Sequence, residues 1–535
     1  MNVLSPRFPE VILSATACLL FLLGVSNRAL LRKIAAEISF LALLVCFLIE
    51  WYCTKSPTVP TFDSGGAVFT QSFSEYIKLI TTGIGMLLVL LNMPTKRDGS
   101  GGNASDFGGD TAEFFGLLLL SLAGLCVVAS ANDLILLFLG IELASIPTYV
   151  MVSISRPLPV AQEAGLKYFF LGAMSAAVML FGFSYLFGTT GSTSLNEITG
   201  ILQNTRWTDW QIMAVILLIC GFAFKMAAVP LHAYAGDVYQ GAATPVTAFL
   251  SFVPKTAGFV ALIKVLYAVG GGTWAIPEPV SQTILVLAGL TMTVGNILGL
   301  SQSNIKRTFA YSSVAHTGYM LVGIAALTKA CQLHIPHAEI AGIQSDALQG
   351  VLFYLAAYGI TNIAAFGVLQ LLPSRHNRPA TSAETFEDIA GQGRKHVGLG
   401  LAMTVACLSL TGIPLTVGFL GKIYLTLPAG HANLIALSII LWVNAAISAA
   451  YYLRIVIAMF LRSEPTQMLP GPNVGPMRIP QPASVVFAVM VSVILTLLLG
   501  TFFPATNVLA KRVTEAAKME HPTARIDTEV SMASR

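Results

Sequence analysis

Four charged residues stand inside long apolar runs. Glu142 is centred in DLILLFLGIELASIPTYVMV, Lys225 lies in ICGFAFKMAAVPLHAYAGDVYQG, Lys255 in VTAFLSFVPKTAGFVAL and Lys422 in LTGIPLTVGFLGKIYLTL. A charge at the centre of a membrane helix costs at least ~2.5–3.5 kcal/mol on insertion scales. Four of them cost on the order of 10 kcal/mol without partners or water. One glutamate cannot pair three lysines. An unpaired buried ammonium gives up its proton more readily than a solvated one, so the residue types point to proton uptake and release. The bland alternative is a set of buried ion pairs that only pins helices together.

Three further residues join this group with weaker claims. Lys167 lies close to the start of its span, where snorkelling to the interface competes. His232 lies just past Pro230, and His316 lies within KRTFAYSSVAHTGYM. Histidine titrates near neutrality and suits a relay, though a satisfied interior histidine fits equally well. Lys78, Lys264 and Arg454 fall within a turn or two of span ends and read as snorkelling side chains.

The elements that carry the four charges are themselves interrupted. Pro230 has no amide hydrogen and leaves the carbonyl of Met226 without its helical partner, one residue from Lys225. Pro414 does the same to Leu410 in the segment that carries Lys422. Irregular backbone at membrane depth is tolerated only inside protein or beside water. Paired broken helices at corresponding positions are the mark of repeats in secondary transporters.

The rest of the chain supplies the membrane spans. Of its 535 residues 55% are apolar and 10% charged, and mean hydropathy is +0.74. Soluble proteins average about 25% charged residues. A span takes about 20 apolar residues as helix. About fourteen such segments follow one another: 9–26, 34–53, 72–93, 112–130, 133–154, 165–188, 209–240, 245–269, 281–301, 308–328, 348–372, 397–427, 432–461 and 483–508. The predicted fold is an all-α polytopic membrane protein. Spans 7 and 12 are discontinuous, and their odd offset of five makes spans 4–8 and 9–13 inverted five-helix repeats. The predicted divisions are 1–111 (three N-terminal helices), 112–272 and 273–475 (the repeats), and 476–535 (last helix and polar tail). The longest polar interruptions are 94–111, 373–396 and 462–482.

Several function classes drop out. A net charge of +4, scattered along the chain, does not suit nucleic-acid binding. None of the seven cysteines makes a CxxC pair, so no zinc or cysteine-ligated iron–sulfur site is signalled. There is no GxGxxG, and Gly421-Lys422 is followed by Ile423 rather than the Ser or Thr of a phosphate loop. His334, His337, Cys331 and Glu339 share a predicted outer loop without a recognised metal spacing. The first apolar stretch lacks a clear basic leader and a small-residue cleavage site, and is read as a span. Basic residues such as Arg28, Arg32, Lys96, Arg97, Arg156, Lys306, Arg307 and Arg394 gather in the odd connections. By the positive-inside rule these face the cytoplasm and both termini face the other side.

Taken together, GFAFKMAAVPLHAYAGDVYQGAATPVTAFLSFVPK, FLGIELASIPTYV, NIKRTFAYSSVAHTGY and LTGIPLTVGFLGK resemble the N-subunit family of bacterial NADH–quinone oxidoreductase, respiratory complex I. That family is antiporter-like and related to multisubunit cation/proton antiporters. The resemblance implies that Glu142 and Lys225 form the Glu–Lys pair of a first half-channel. Lys255 would be the connecting lysine and Lys422 the lysine of a second half-channel, with Lys167, His232 and His316 auxiliary. A lysine at 422 favours the N over the M subunit, and a tail of about 27 residues is too short for the lateral helix of the L subunit. The resemblance further implies a translocase subunit of a bacterial inner (plasma) membrane with periplasmic termini. NADH, FMN, iron–sulfur clusters and quinone would sit in partner subunits, and no cofactor in this chain. The competing expectations are a sodium/proton antiporter subunit without redox partners, and a structural membrane subunit.

Overall fold

The computed structural model describes residues 8–26, 34–53, 71–93, 110–203, 205–372, 383–463, 482–501 and 511–515. The polar stretches 94–109, 373–382 and 464–481, and the tail beyond 515, lie outside the described residues.

Apolar segments in a bilayer must satisfy their backbone internally, and among the described residues they do so as helices. The first three helices are α1 (Phe8–Val25), α2 (Ala35–Cys53) and α3 (Gln71–Asn92). Next come α4 (Thr111–Ser130), α5 (Leu134–Ile154), α6 (Pro159–Thr190), α7 (Leu195–Gln203), α8 (Asp209–Met226), α9 (Ala235–Gly241) and α10 (Thr244–Val269). The second half holds α11 (Glu278–Leu300), α12 (Ile305–Ala330), α13 (His337–Leu371), α14 (Phe386–Ile389), α15 (Gln392–Lys395), α16 (Val397–Thr411), α17 (Val417–His431), α18 (Ile435–Phe460) and α19 (Ala483–Thr501). Twelve of the described helices are long and apolar enough to cross a membrane. Helix α12 is long but less apolar, and α16 and α17 are two shorter helices in series. The chain is a multi-pass membrane protein.

Helix ends follow local chemistry. The Asp133 carboxylate accepts from the amide of Ile135 at 2.8 Å and starts α5. Thr208 and Gln211 cap α8 reciprocally. Asn304 accepts from the Arg307 amide at 3.1 Å and starts α12. Two elements are longer than their apolar cores predict. Helix α6 starts at Pro159, a residue suited to the first helical turn, and α13 starts at His337. The segment read as an outer loop around 331–346 is therefore largely the first turns of α13.

Helix α10 is the hub of the bundle. All 26 of its residues are buried, and it packs against α3, α4, α5, α8, α12 and α13. Close approach elsewhere depends on small residues, as usual between membrane helices. A Cβ on Gly124 of α4 would lie 2.4 Å from the Ala144 nitrogen of α5, next to the turn that carries Glu142.

Candidate functional site

Both helix breaks fall where the prolines place them. Helix α8 stops at Met226, Ala227 takes φ 57°, and the Val229–Pro230 peptide is cis. The Val229 amide, lost to the helix, donates to Thr291 Oγ1 at 3.1 Å. The Met226 carbonyl accepts from Thr317 Oγ1 at 2.7 Å. In the second break Gly412 takes φ 88° and Leu415 φ 72°. The orphaned Leu410 carbonyl accepts from Lys422 Nζ at 3.1 Å, and the Thr411 carbonyl accepts from the same ammonium at 2.6 Å. Each carbonyl freed by a proline thus becomes an acceptor at the site.

Lys225 lies in the last turn of α8 and donates to Glu142 Oε1 at 2.9 Å and to the Tyr149 hydroxyl at 3.1 Å. Its side chain is 2% exposed and that of Glu142 15%. Glu142 and Tyr149 stand two turns apart on one face of α5, so a single helix supplies both partners. Gly258 of α10 makes room for the last turn of α8: a Cβ there would lie 2.7 Å from Met226 Cγ and 3.3 Å from Lys225 Cβ.

Lys255 is buried in mid-α10 and donates to the Ser313 carbonyl and, at 3.0 Å, to Thr317 Oγ1. The same Thr317 hydroxyl holds Met226, so one side chain touches both the Lys255 ammonium and the break beside Lys225. A small cavity lined by Lys225, Tyr168, Tyr234, Tyr239, Pro254 and Lys255 separates the two lysines and has room for about one water.

On the other side of Lys255 the chain of polar groups continues through aromatic hydroxyls. His316 is buried, with Nδ1 2.7 Å from the Tyr354 hydroxyl and Nε2 3.2 Å from that of Tyr452. A neutral imidazole donates through one nitrogen and accepts through the other, so it can pass a proton between them. The His316 ring also lies 4.9 Å from Tyr358 and 5.3 Å from Tyr319, centroid to centroid. Lys255 stands 5.5 Å over the Tyr358 ring and Lys422 stands 4.7 Å over the Tyr319 ring. His316 is thereby flanked by the aromatic neighbours of both lysines.

Two predicted auxiliary residues lie apart from this chain. Lys167 is 45% exposed and pairs with Glu163 at 2.8 Å and Asp237 at 3.0 Å. His232 is half-buried in the first break, and its Nδ1 finds no partner among the described residues.

Sequence reading misplaced three lysines. Lys78 does not snorkel: it is buried and pairs with Glu10 at 2.7 Å. Lys264 is fully buried and donates to the carbonyls of Ala129 at 2.5 Å and Ala131 at 2.7 Å. Lys306, counted with the loop charges, has no exposed surface. Burial of this kind is set by which helices flank a residue, and depth along a span does not reveal it. The partners Tyr149, Ser313, Thr317, Tyr354 and Tyr452 were also missed. The spacing of Ser313, His316 and Thr317, and of Tyr354 and Tyr358, on one helical face was the available signal.

Similarity to known proteins bears on the family and the fold. The family model described as NADH:quinone oxidoreductase/Mrp antiporter, TM matches residues 131–448. NADH-quinone oxidoreductase subunit N of Myxococcus xanthus is 40% identical, covering 67% of this chain and 71% of that protein. Subunit N 1 of Solibacter usitatus is 34% identical over 92% of this chain and 93% of its own. Among solved structures, a chain of respiratory complex I from Thermus thermophilus superposes with a TM-score of 0.70 at 29% identity, covering 93% of this chain and 98% of its own. A chain of the Mrp complex from Dietzia superposes at 0.78 with 18% identity, covering 98% and 99% of the two chains, which shows a shared fold.

Proposed function

The chain belongs to the family of NADH-quinone oxidoreductase subunit N, and from that membership we propose that its buried polar chain carries protons across the membrane while partner subunits pass electrons from NADH to quinone. The observation that supports this most is the run of contacts Glu142–Lys225, Thr317–Lys255, His316 with Tyr354 and Tyr452, and Lys422 with Leu410. Every member carries a proton or a lone pair, and the run passes from one broken helix to the other.

Each lysine has a defined job in this reading. Lys225 exchanges a proton with the side of Glu142. Lys255 takes it when neutral and releases it when a neighbouring charge appears. Lys422 does the same at the second break. The chain acts as a translocase subunit without a redox centre of its own; NADH, FMN, iron–sulfur clusters and quinone belong to its partners. We place it in a bacterial inner membrane with fourteen crossings, both termini on the periplasmic side, and spans 4–8 and 9–13 as inverted repeats. Pro230, Leu231 and the 413–415 stretch are exposed on the isolated chain. Irregular backbone does not face lipid, so both breaks fit surfaces covered by neighbouring membrane subunits.

The test is Lys225→Ala in an assembled complex, measured as protons translocated per NADH oxidised in membrane vesicles. A lowered ratio with electron transfer retained is expected. An unchanged ratio leaves the buried charges a purely structural role. A sodium/proton antiporter subunit, the alternative, would move protons without NADH oxidation.

A further inference from the structure

A sixth buried lysine, Lys306, lies at the end of α12 nearest the odd connections. Lys306 is in the first turn of α12, and its ammonium donates to the Gln240 carbonyl at 3.1 Å and the Ala242 carbonyl at 2.5 Å. The first carbonyl belongs to the last turn of α9 and the second to the connection from α9 to α10. The third neighbour is Glu384 Oε1 at 3.4 Å. Glu384 sits just before α14, is 22% exposed, and pairs with Arg156 at 2.5 Å. Through Glu384 the Lys306 ammonium meets a carboxylate that water reaches.

The same two elements lead inward. Ser313 follows Lys306 by seven residues, close to two turns of α12, and so shares its face. Its carbonyl receives Lys255, and its hydroxyl meets the Tyr239 hydroxyl at 3.1 Å. Tyr239 adjoins Gln240, whose carbonyl holds Lys306, and lines the cavity between Lys225 and Lys255. The end of α9 therefore touches Lys306 through its backbone and lines the cavity between the central lysines through its tyrosine.

We propose that Glu384 and Lys306 form the port by which protons from this face enter the chain at Lys255. The port rests on the proton-translocating reading given above. A hydronium ion gives its proton to a Glu384 carboxylate oxygen and becomes water. The carboxyl passes the proton to neutral Lys306 Nζ, restoring the carboxylate and forming an ammonium. That ammonium releases it, through water beside the Tyr239 hydroxyl, to neutral Lys255 Nζ. Only O–H and N–H bonds form and break, and no oxidant is needed.

The surrounding charges suit transient occupancy. Burial raises the pKa of Glu384, but Lys306 and Arg156 outweigh it and hold the carboxyl below its ordinary value. When Lys306 is neutral only Arg156 of the two still opposes a proton on Glu384, so the carboxyl can take one and pass it on. Arg156 reaches it from the end of α5 and Lys306 from α12. Asp388 of α14 accepts from its backbone amide at 3.0 Å. Arg307, Asp237 and Lys167 form the adjacent ion-pair network on the same face.

The experiment uses the assembled complex in vesicles with this face toward the bath, and reads protons translocated per NADH oxidised. Lys255→Met defines the share of translocation that this subunit carries. Lys306→Arg keeps a charge and donors but does not deprotonate, and should lose that same share. Glu384→Gln keeps the shape, and should lose most of the share in an alkaline bath and regain it as the bath is acidified and hydronium reaches Lys306 directly. If Lys255→Met lowers the ratio while Glu384→Gln and Lys306→Arg keep it at every bath pH, Lys306 is a structural clamp and the port is wrong. If Lys306→Arg prevents assembly, Glu384→Gln alone decides. If Lys255→Met itself leaves the ratio intact, the translocation reading fails first and the port falls with it.

Discussion

The Lys422 ammonium is held by the Leu410 carbonyl, 3.1 Å away, which is the carbonyl that Pro414 leaves without a helical donor. The proline therefore makes a ligand for the lysine as well as a bend. Pro414→Ala restores an amide four residues after Leu410 and lets the two compete for one oxygen. The expected outcome is a retained, assembled subunit with lowered proton translocation per NADH, because Lys422 loses its fixed position. Vesicle acidification at matched amounts of complex reads it.

Lys255 separates charge from titration. Lys255→Met removes an intramembrane charge at similar length, so the helix should insert and the complex assemble. Lys255→Arg keeps the charge but not the capacity to deprotonate. Both should lower proton translocation sharply. Normal translocation in both variants would make Lys255 a structural charge.

The Glu142–Lys225 pair makes a prediction about stability. Removing one partner of a buried pair leaves an uncompensated charge and typically costs about 3–5 kcal/mol. Lys225→Met alone should therefore lower the melting temperature of the solubilised complex more than Lys225→Met combined with Glu142→Gln. Translocation should be lost in both. A double variant that melts no higher than the single one would show that the pair is not energetically coupled.

Gly418 stands where the second break turns into α17. A Cβ there would lie 2.0 Å from the Ser409 carbonyl oxygen, a backbone atom that cannot swing away. Gly418→Ala should cost about 1–3 kcal/mol, as overpacking does, and displace the break relative to Lys422. Reduced amounts of assembled complex on a native gel are expected, whereas Gly430→Ala, which meets open space, should assemble normally.

Glu384 sets an acid limb. Its folded pKa lies below the ordinary value of 4.5, so its contribution to stability is full above that value. The contribution is lost as pH falls through the depressed folded value. Glu384→Gln should flatten the fall of melting temperature on the acid side below pH ~4.5 and leave its slope near neutrality unchanged. Thermal melts of the solubilised complex across that range check the sign.

Much of this architecture can be read from residue types alone. Pro230 and Pro414 mark both breaks because a missing amide acts locally, whatever packs around it. Glu142, Lys225, Lys255 and Lys422 stand out because each is flanked by apolar residues on both sides. Lys264 and Lys306 do not, because they lie near helix ends where exposure depends on neighbours far away in the chain. Lys264 is sealed by the end of α4, and Lys306 by the turn at 240–242 and by Glu384. The tyrosine partners escape notice for another reason: an aromatic residue in a membrane helix is unremarkable until its hydroxyl is seen to face a histidine.

Helix α10 meets protein on every side, and this constrains how the chain is made. Alone in hydrocarbon it would expose Lys255 and Lys264 together with Thr244, Thr247, Ser251 and Thr256, an expensive set for an isolated helix. During synthesis α3, α4, α5 and α8 precede it and can receive one flank, while α12 and α13 are still to come. Until they arrive, the flank that ends up against Ser313 and Tyr358 has no partner from its own chain. Biogenesis is therefore cooperative across the two halves. A polypeptide truncated between α10 and α12 would leave a lysine at mid-membrane depth without its acceptors, a ready signal for the proteases that clear unassembled membrane proteins.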